Sequence, residues 1–125
     1  MSSTPAIILV VEDDTDIRES LVEVLEDEGF GIRAAADGRQ ALDVLRAGPP
    51  LPDLILLDLM MPVMNGFQFR EQQLKNAAFA EIPVIVVTAD ANARAKAESL
   101  NAAGFVQKPL KIQPLLDLIR AQLGR

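Results

Sequence analysis

Four apolar runs in this 125-residue chain each lead into groups that can do chemistry. Ala6-Ile7-Ile8-Leu9-Val10-Val11 runs into Glu12-Asp13-Asp14, and Leu54-Ile55-Leu56-Leu57 runs into Asp58. Pro83-Val84-Ile85-Val86-Val87 ends in Thr88-Ala89, and Gly104-Phe105-Val106 is followed, past Gln107, by Lys108-Pro109. Brought to one place, these acids, a hydroxyl and an ammonium suit phosphoryl transfer to a carboxylate. Asp58 is the candidate nucleophile, because aspartate can carry a phosphoryl group as an acyl phosphate. Crowded carboxylates repel, and without a counter-charge one of them is driven towards protonation. A divalent cation bridging Asp13, Asp58 and a phosphoryl oxygen would remove that conflict. Lys108 would bind a second phosphoryl oxygen as a point charge. The Thr88 hydroxyl and the Ala89 backbone N–H would serve the rest. Nothing in the set is a base suited to rapid hydrolysis, so the adduct should persist, as a switch requires.

Composition narrows the alternatives. The chain has no histidine and no cysteine, which removes imidazole bases, thiolate metal sites and disulfides. Hard oxygen donors alone favour Mg²⁺, with Mn²⁺ as an alternative, over zinc. A net charge of −6 argues against direct nucleic-acid binding, which calls for a basic face. No apolar run approaches the length of a membrane span, and the N-terminus lacks a signal pattern. A cytoplasmic protein without membrane attachment is the expectation. Five phenylalanines are the only aromatic residues, too few for a base- or sugar-stacking platform.

Each residue also has an ordinary reading. Asp13 or Asp14 can be a helix N-cap, Asp58 a turn residue before Pro62, Thr88 a cap, and Lys108 one exposed lysine among several. What disfavours four such coincidences is position, since all these groups follow strand-like runs.

Those runs are apolar on both faces, the pattern of strands buried in a parallel sheet. Gly31-Ile32-Arg33-Ala34-Ala35 and Gly104-Phe105-Val106 are weaker strands, suited to sheet edges. Helical patterns separate them. Ile17, Leu21, Val24 and Leu25 share one face of a first helix that Gly29 stops. Asp37-Gly38 opens a second, carrying Ala41, Leu42 and Leu45, and Gly48-Pro49-Pro50 ends it. Asn65-Gly66 precedes a third, through Phe67, Phe69, Arg70 and Leu74. Alanine-rich residues Ala91 to Asn101 form a fourth, and Pro114 sits near the start of a fifth with Leu115, Leu118 and Ile119. The order is (βα) five times over residues 1–125. It predicts one α/β domain of flavodoxin-like, doubly wound type, with strand order 2-1-3-4-5 and helices on both faces. In such sheets the ligand site lies beyond the C-terminal strand ends.

The chain resembles the receiver domains of bacterial two-component response regulators. The resemblance is carried by Ile8-Leu9-Val10-Val11-Glu12-Asp13-Asp14, by Leu57-Asp58-Leu59-Met60-Met61-Pro62-Val63-Met64-Asn65-Gly66, by Val87-Thr88-Ala89, and by Gly104-Phe105-Val106-Gln107-Lys108-Pro109. It implies that Asp58 is the phosphoacceptor, Asp13 a direct metal ligand, and Glu12 its partner acting through water. It leaves Asp14 as the helix cap. Glu12 stands where family members more often have Asp. The Met60 carbonyl is implied as a further metal ligand, Thr88 and Phe105 as switch residues, Lys108 as the phosphate-binding lysine, and Lys108-Pro109 as a cis peptide. Met60 and Asp90 flank the site at positions expected to tune the phosphoryl lifetime. The implied donor is a histidine kinase or phosphotransfer protein docking near the first helix. The implied reader is a downstream protein target or an output domain, which the sequence does not name. Such a domain is not a turnover enzyme; it catalyses only its own phosphorylation and slow dephosphorylation. Two enzyme-like or cofactor rivals fit less well. Asp14-Thr15-Asp16 imitates the motif of aspartate-nucleophile phosphatases, but Glu12 and Asp13 intervene after the strand. Flavin binding would need a phosphate-cradling first loop, which Glu12-Asp13-Asp14 would repel. A third rival is a pseudo-receiver that signals by binding alone.

Overall fold

Three strands whose side chains are apolar on both faces cannot face water on either side, and the computed structural model, which describes residues 5–124, buries them at the centre of a sheet. The elements alternate as β1 (Ile7–Val11), α1 (Thr15–Asp27), β2 (Gly31–Ala35), α2 (Gly38–Arg46), β3 (Leu54–Asp58), α3 (Gly66–Leu74), β4 (Val84–Thr88), α4 (Ala93–Ser99), β5 (Gly104–Gln107) and α5 (Ile112–Leu123). The strands are parallel in the order β2-β1-β3-β4-β5. The two weakly patterned strands, β2 and β5, lie at the edges as expected. Residues 1–4 and 125 of the expected domain lie outside the described residues.

Strand side chains alternate between the two faces, and the core divides accordingly. Ile8, Val10, Leu54, Leu56, Ile85, Val87 and Val106 pack with Leu21 and Leu25 of α1 and Leu115, Leu116 and Ile119 of α5. Leu9, Val11, Ile55, Leu57, Val84 and Val86 pack on the other face with Ala41, Leu42 and Leu45 of α2, Phe69 of α3 and Ala97 of α4.

The caps follow the sequence closely. Asp14 caps α1 by accepting the Ile17 N–H at 3.0 Å, which leaves Asp13 free of that role. Asp37 caps α2, and Asn65 caps α3 in a reciprocal capping box with Gln68. Helix α4 is shorter than the Ala91 to Asn101 expected from alanine propensity. At its start, Asp90 Oδ1 accepts the Asn92 N–H at 2.7 Å, a turn that competes with helix. At its end, Asn101 takes φ 55°, and the Asn101 and Ala102 N–H groups turn back onto the Glu98 and Ala97 carbonyls. That is a Schellman-type stop. The Lys108–Pro109 bond is cis, as the resemblance implied, and Pro49–Pro50 is cis as well. Among the described residues no helix is long and apolar enough to cross a membrane.

Candidate functional site

Alternation also sorts the chemical groups at the C-terminal edge of the sheet. Glu12, Asp58 and Lys108 continue the even-numbered set of β1, β3 and β5, whose members face α1 and α5. Thr88 continues the Val84, Val86 set of β4, and Phe105 packs on that same face beneath α4. The acids and the lysine therefore converge on one side of the sheet edge, and the two expected switch residues occupy the other.

Glu12 is 2% exposed and Asp58 4%, while Asp13 is open to solvent. One carboxylate oxygen from each lies within 4.8 Å of the other two. The Lys108 ammonium is 2.9 Å from Glu12 Oε1 and 3.4 Å from Asp58 Oδ2. The Met60 N–H donates to Asp58 Oδ1 at 3.1 Å, and the Asp14 N–H donates to Glu12 Oε2 at 3.1 Å. One lysine does not settle this much buried negative charge. Glu12 Oε1 faces the ammonium but receives no well-directed hydrogen bond, so a buried lone pair is left over. Burial, then the hydrogen bond that a protonated Asp58 gives Glu12, push the Asp58 carboxyl up to about 7, against the Met60 N–H and the Lys108 charge. Burial disfavours the Lys108 ammonium, but its pairing with Glu12 and Asp58 outweighs this and holds it above the ordinary lysine value. Three hard oxygen donors, one of them unsatisfied and one driven to hold a proton, are a donor set that fits a divalent cation.

On the other side, Thr88 is buried, and its hydroxyl accepts the Asp90 N–H at 3.2 Å. Its carbonyl accepts the Lys108 N–H at 2.8 Å, which ties the lysine's backbone to the end of β4. Ala89 is exposed at the strand end. Asp90 is paired with Lys96 at 2.7 Å, which holds its carboxyl below the usual range. Phe105 is half-buried, with the Arg94 guanidinium 5.4 Å from its ring centre. Met60 turns its side chain outward, 70% exposed.

Several supporting residues escaped the sequence reading. Arg18 of α1 reaches back to donate to the Glu12 carbonyl at 2.8 Å and the Asp13 carbonyl at 3.4 Å, bracing the acidic loop. In the sequence Gly66 marks a helix start and closes one of the stretches that carry the resemblance, with no sign of what it touches. A Cβ there would lie 2.5 Å from the Asp58 carbonyl oxygen and 2.8 Å from Leu59 Cα, so α3 begins pressed against the backbone of Asp58. Only glycine permits that approach. Arg70 and Gln73 of α3 are buried. The signal for them was present, since residues 66, 69, 70 and 73 follow the helical stripe spacing, but polar side chains occupy half of it.

Residues 8–120 match the family model of the response regulator receiver domain. The chain belongs to that family. As a receiver domain it is 36% identical over 123 residues to the response regulator MprA of Mycolicibacterium vanbaalenii, covering 97% of this chain and 52% of that protein. It spans about half the length of the curated relatives it matches. A putative response regulator from Chloroflexus aurantiacus superposes with a TM-score of 0.89 at 27% identity, over 98% of this chain and 100% of the other. The response regulator protein TrrA of Thermotoga maritima, solved in complex with Mg(2+)-BeF, gives 0.82 at 31% identity, over 94% and 98%. The flavodoxin-like receiver fold and the family resemblance are therefore established for this chain.

Proposed function

We propose that this receiver domain accepts a phosphoryl group on Asp58 from a phosphohistidine donor and thereby switches a partner-binding surface. What supports the reading is the under-neutralised cluster of buried Glu12 and Asp58 with exposed Asp13, and Lys108 3.4 Å from the proposed nucleophile. A carboxylate oxygen of Asp58 forms the new P–O bond as the bond from phosphorus to the donor nitrogen breaks, and the donor imidazole leaves with the electron pair. Lys108 takes up charge on a phosphoryl oxygen, as do the Thr88 hydroxyl and the Ala89 N–H. Glu12, Asp13, Asp58 and the Met60 carbonyl would hold Mg²⁺ (or Mn²⁺), which when bound supplies charge neutralisation at the incoming phosphoryl group. No histidine is available as a hydrolytic base. The domain accordingly acts as a switch, catalysing only its own phosphorylation and slow dephosphorylation.

An apolar groove of about 360 Å³ beside the site, lined by Ile17, Leu21, Pro109, Leu110 and Ile112 with Lys108 at its edge, supports docking of a histidine kinase or phosphotransfer protein against α1. The shared sheet face of Thr88 and Phe105 supports the readout: Thr88 is drawn to the phosphoryl group, Phe105 repacks, and the surface of α4, β5 and α5 changes its preferred state. The reader is a separate protein or an output domain, and the setting is cytoplasmic. Incubation with acetyl phosphate and Mg²⁺ tests the assignment. The native chain should gain one phosphoryl group by intact mass, and Asp58→Asn should gain none; undiminished labelling of Asp58→Asn overturns it.

A further inference from the structure

Away from the phosphorylation site, one charged side chain is buried with no carboxylate near it among the described residues. Arg70 of α3 is 5% exposed. Its Nε donates to the Leu100 carbonyl at 3.0 Å and one terminal nitrogen to the Asn101 carbonyl at 3.0 Å. The other terminal nitrogen donates to Gln73 Oε1 at 2.8 Å. Gln73, fully buried, passes the contact on by donating to the Phe79 carbonyl at 2.9 Å and the Ile82 carbonyl at 3.0 Å. Leu100 and Asn101 are the residues at which α4 ends, so the guanidinium sits on carbonyls that the helix itself leaves without partners. A cation there also complements the negative end of the helix dipole. Together with the Schellman-type turn, the last turn of α4 is bound to α3 and to the segment leading into β4.

The first turn of α4 is held quite differently. Its N-cap, Asn92, makes no side-chain hydrogen bond to the helix. The restraints on this end are the buried methyl of Ala93, the Asp90 Oδ1–Asn92 N–H bond at 2.7 Å, the partly exposed Asp90–Lys96 pair, Lys96 5.9 Å from the Phe67 ring and Arg94 5.4 Å from the Phe105 ring. Exposed ion pairs and cation–π contacts are worth little individually. This end, which among the described residues has no side-chain hydrogen bond to another helix or strand, adjoins the loop that leaves Thr88.

We propose that Arg70 and Gln73 make the C-terminal end of α4 a fixed pivot, so that a signal arriving at Thr88 displaces only the helix's first turn. The surface a partner reads is then the start of α4 with Phe105, built around Arg94 and Lys96, and not the whole helix. The pivot itself concerns the resting protein; its use in signalling rests on the receiver reading above.

Residue-resolved amide exchange and chemical shifts, with and without Mg²⁺ and beryllofluoride, test both parts. In the resting protein, Arg70→Met should speed exchange at Leu100, Asn101 and Ala102 on the order of tenfold or more while the β3 and β4 amides hold. Arg70→Lys, which keeps the charge but loses the fork, serves if the first variant does not fold, and should show a smaller change at the same amides. Unchanged exchange at those three amides in the variant that folds overturns the pivot. On adding beryllofluoride, native signals from Asp90 to Lys96 should move and those from Leu100 to Ala102 should stay; in Arg70→Met or Arg70→Lys the response should spread to Leu100. An equal response at both ends of native α4 overturns the proposal. No shift at Asp58 or Thr88 would instead sink the receiver reading and the signalling use with it, while the resting-state exchange still decides whether Arg70 pins the helix.

Discussion

Two buried charged clusters, both built at chain ends of secondary structure, show opposite states of satisfaction. Around Asp58, the buried carboxylates of Glu12 and Asp58 share one lysine beside the exposed Asp13, Glu12 Oε1 receives no well-directed hydrogen bond, and the Asp58 carboxyl is pushed up to about 7. Around Arg70, every nitrogen of the Arg70 and Gln73 side chains meets a carbonyl or amide oxygen, and five hydrogen bonds link three parts of the chain. Burial alone therefore does not mark a functional site. The first cluster is unfinished with protein atoms alone, and the proposed metal and phosphoryl group would complete it; in the second every side-chain nitrogen has a partner.

The largest consequence of that difference is in pH dependence. A carboxyl raised to about 7 holds its proton in the folded chain while the unfolded chain, near 3.8, has released it. The stability it contributes is present below pH 3.8 and is lost as pH rises through about 7. The slope approaches about 1.4 kcal/mol per pH unit inside that window, up to about 4 kcal/mol in all. Urea midpoints of the metal-free protein between pH 4 and 8 should fall accordingly. Asp58→Asn should flatten the profile and be more stable than native at pH 8, and Mg²⁺ should restore native stability there. A profile unchanged by Asp58→Asn would mean the acidic cluster is not frustrated at all.

Removing charge from the satisfied cluster should do the reverse. Arg70→Met strands the Leu100 and Asn101 carbonyls and Gln73 Oε1, so it should cost about 2–4 kcal/mol at every pH from 5 to 8. A loss below about 1 kcal/mol in urea denaturation would erase the contrast between the two sites. The smallest effect belongs to a pair that is not buried. Arg120 of α5 bonds Glu28 at the end of α1, with both side chains more than a third exposed. Arg120→Ala should shift stability by no more than about 0.5 kcal/mol, and less in high salt.

The two clusters were unequally visible in the sequence. Glu12, Asp13, Asp58, Thr88 and Lys108 were legible because each stands at or just past the end of a strand-like run, where all of them can meet at one edge of a parallel sheet. Arg70 and Gln73 were legible only as positions on the helical stripe, because a polar residue in a helix looks the same whether it points to water or to the core. Gly66 was half-legible: Asn-Gly announces a helix start, but not that the Asp58 backbone lies against it. The ends of α4 were misjudged because alanine propensity says where a helix can form. The Asp90 turn and the Arg70-bound stop decide where it does.

Local pattern by itself determined the strands, the order of elements, the doubly wound sheet and the end of the sheet at which the chemistry lies, since periodicity and caps depend on neighbours a few residues away. Only the tertiary structure decided how the charges are balanced. Asp58 meets Lys108 fifty positions away, and Arg70 meets Leu100 and Asn101 thirty and thirty-one away. Whether a buried charge is left wanting or fully bonded depends on distances and directions across elements, and those exist only once the chain has folded.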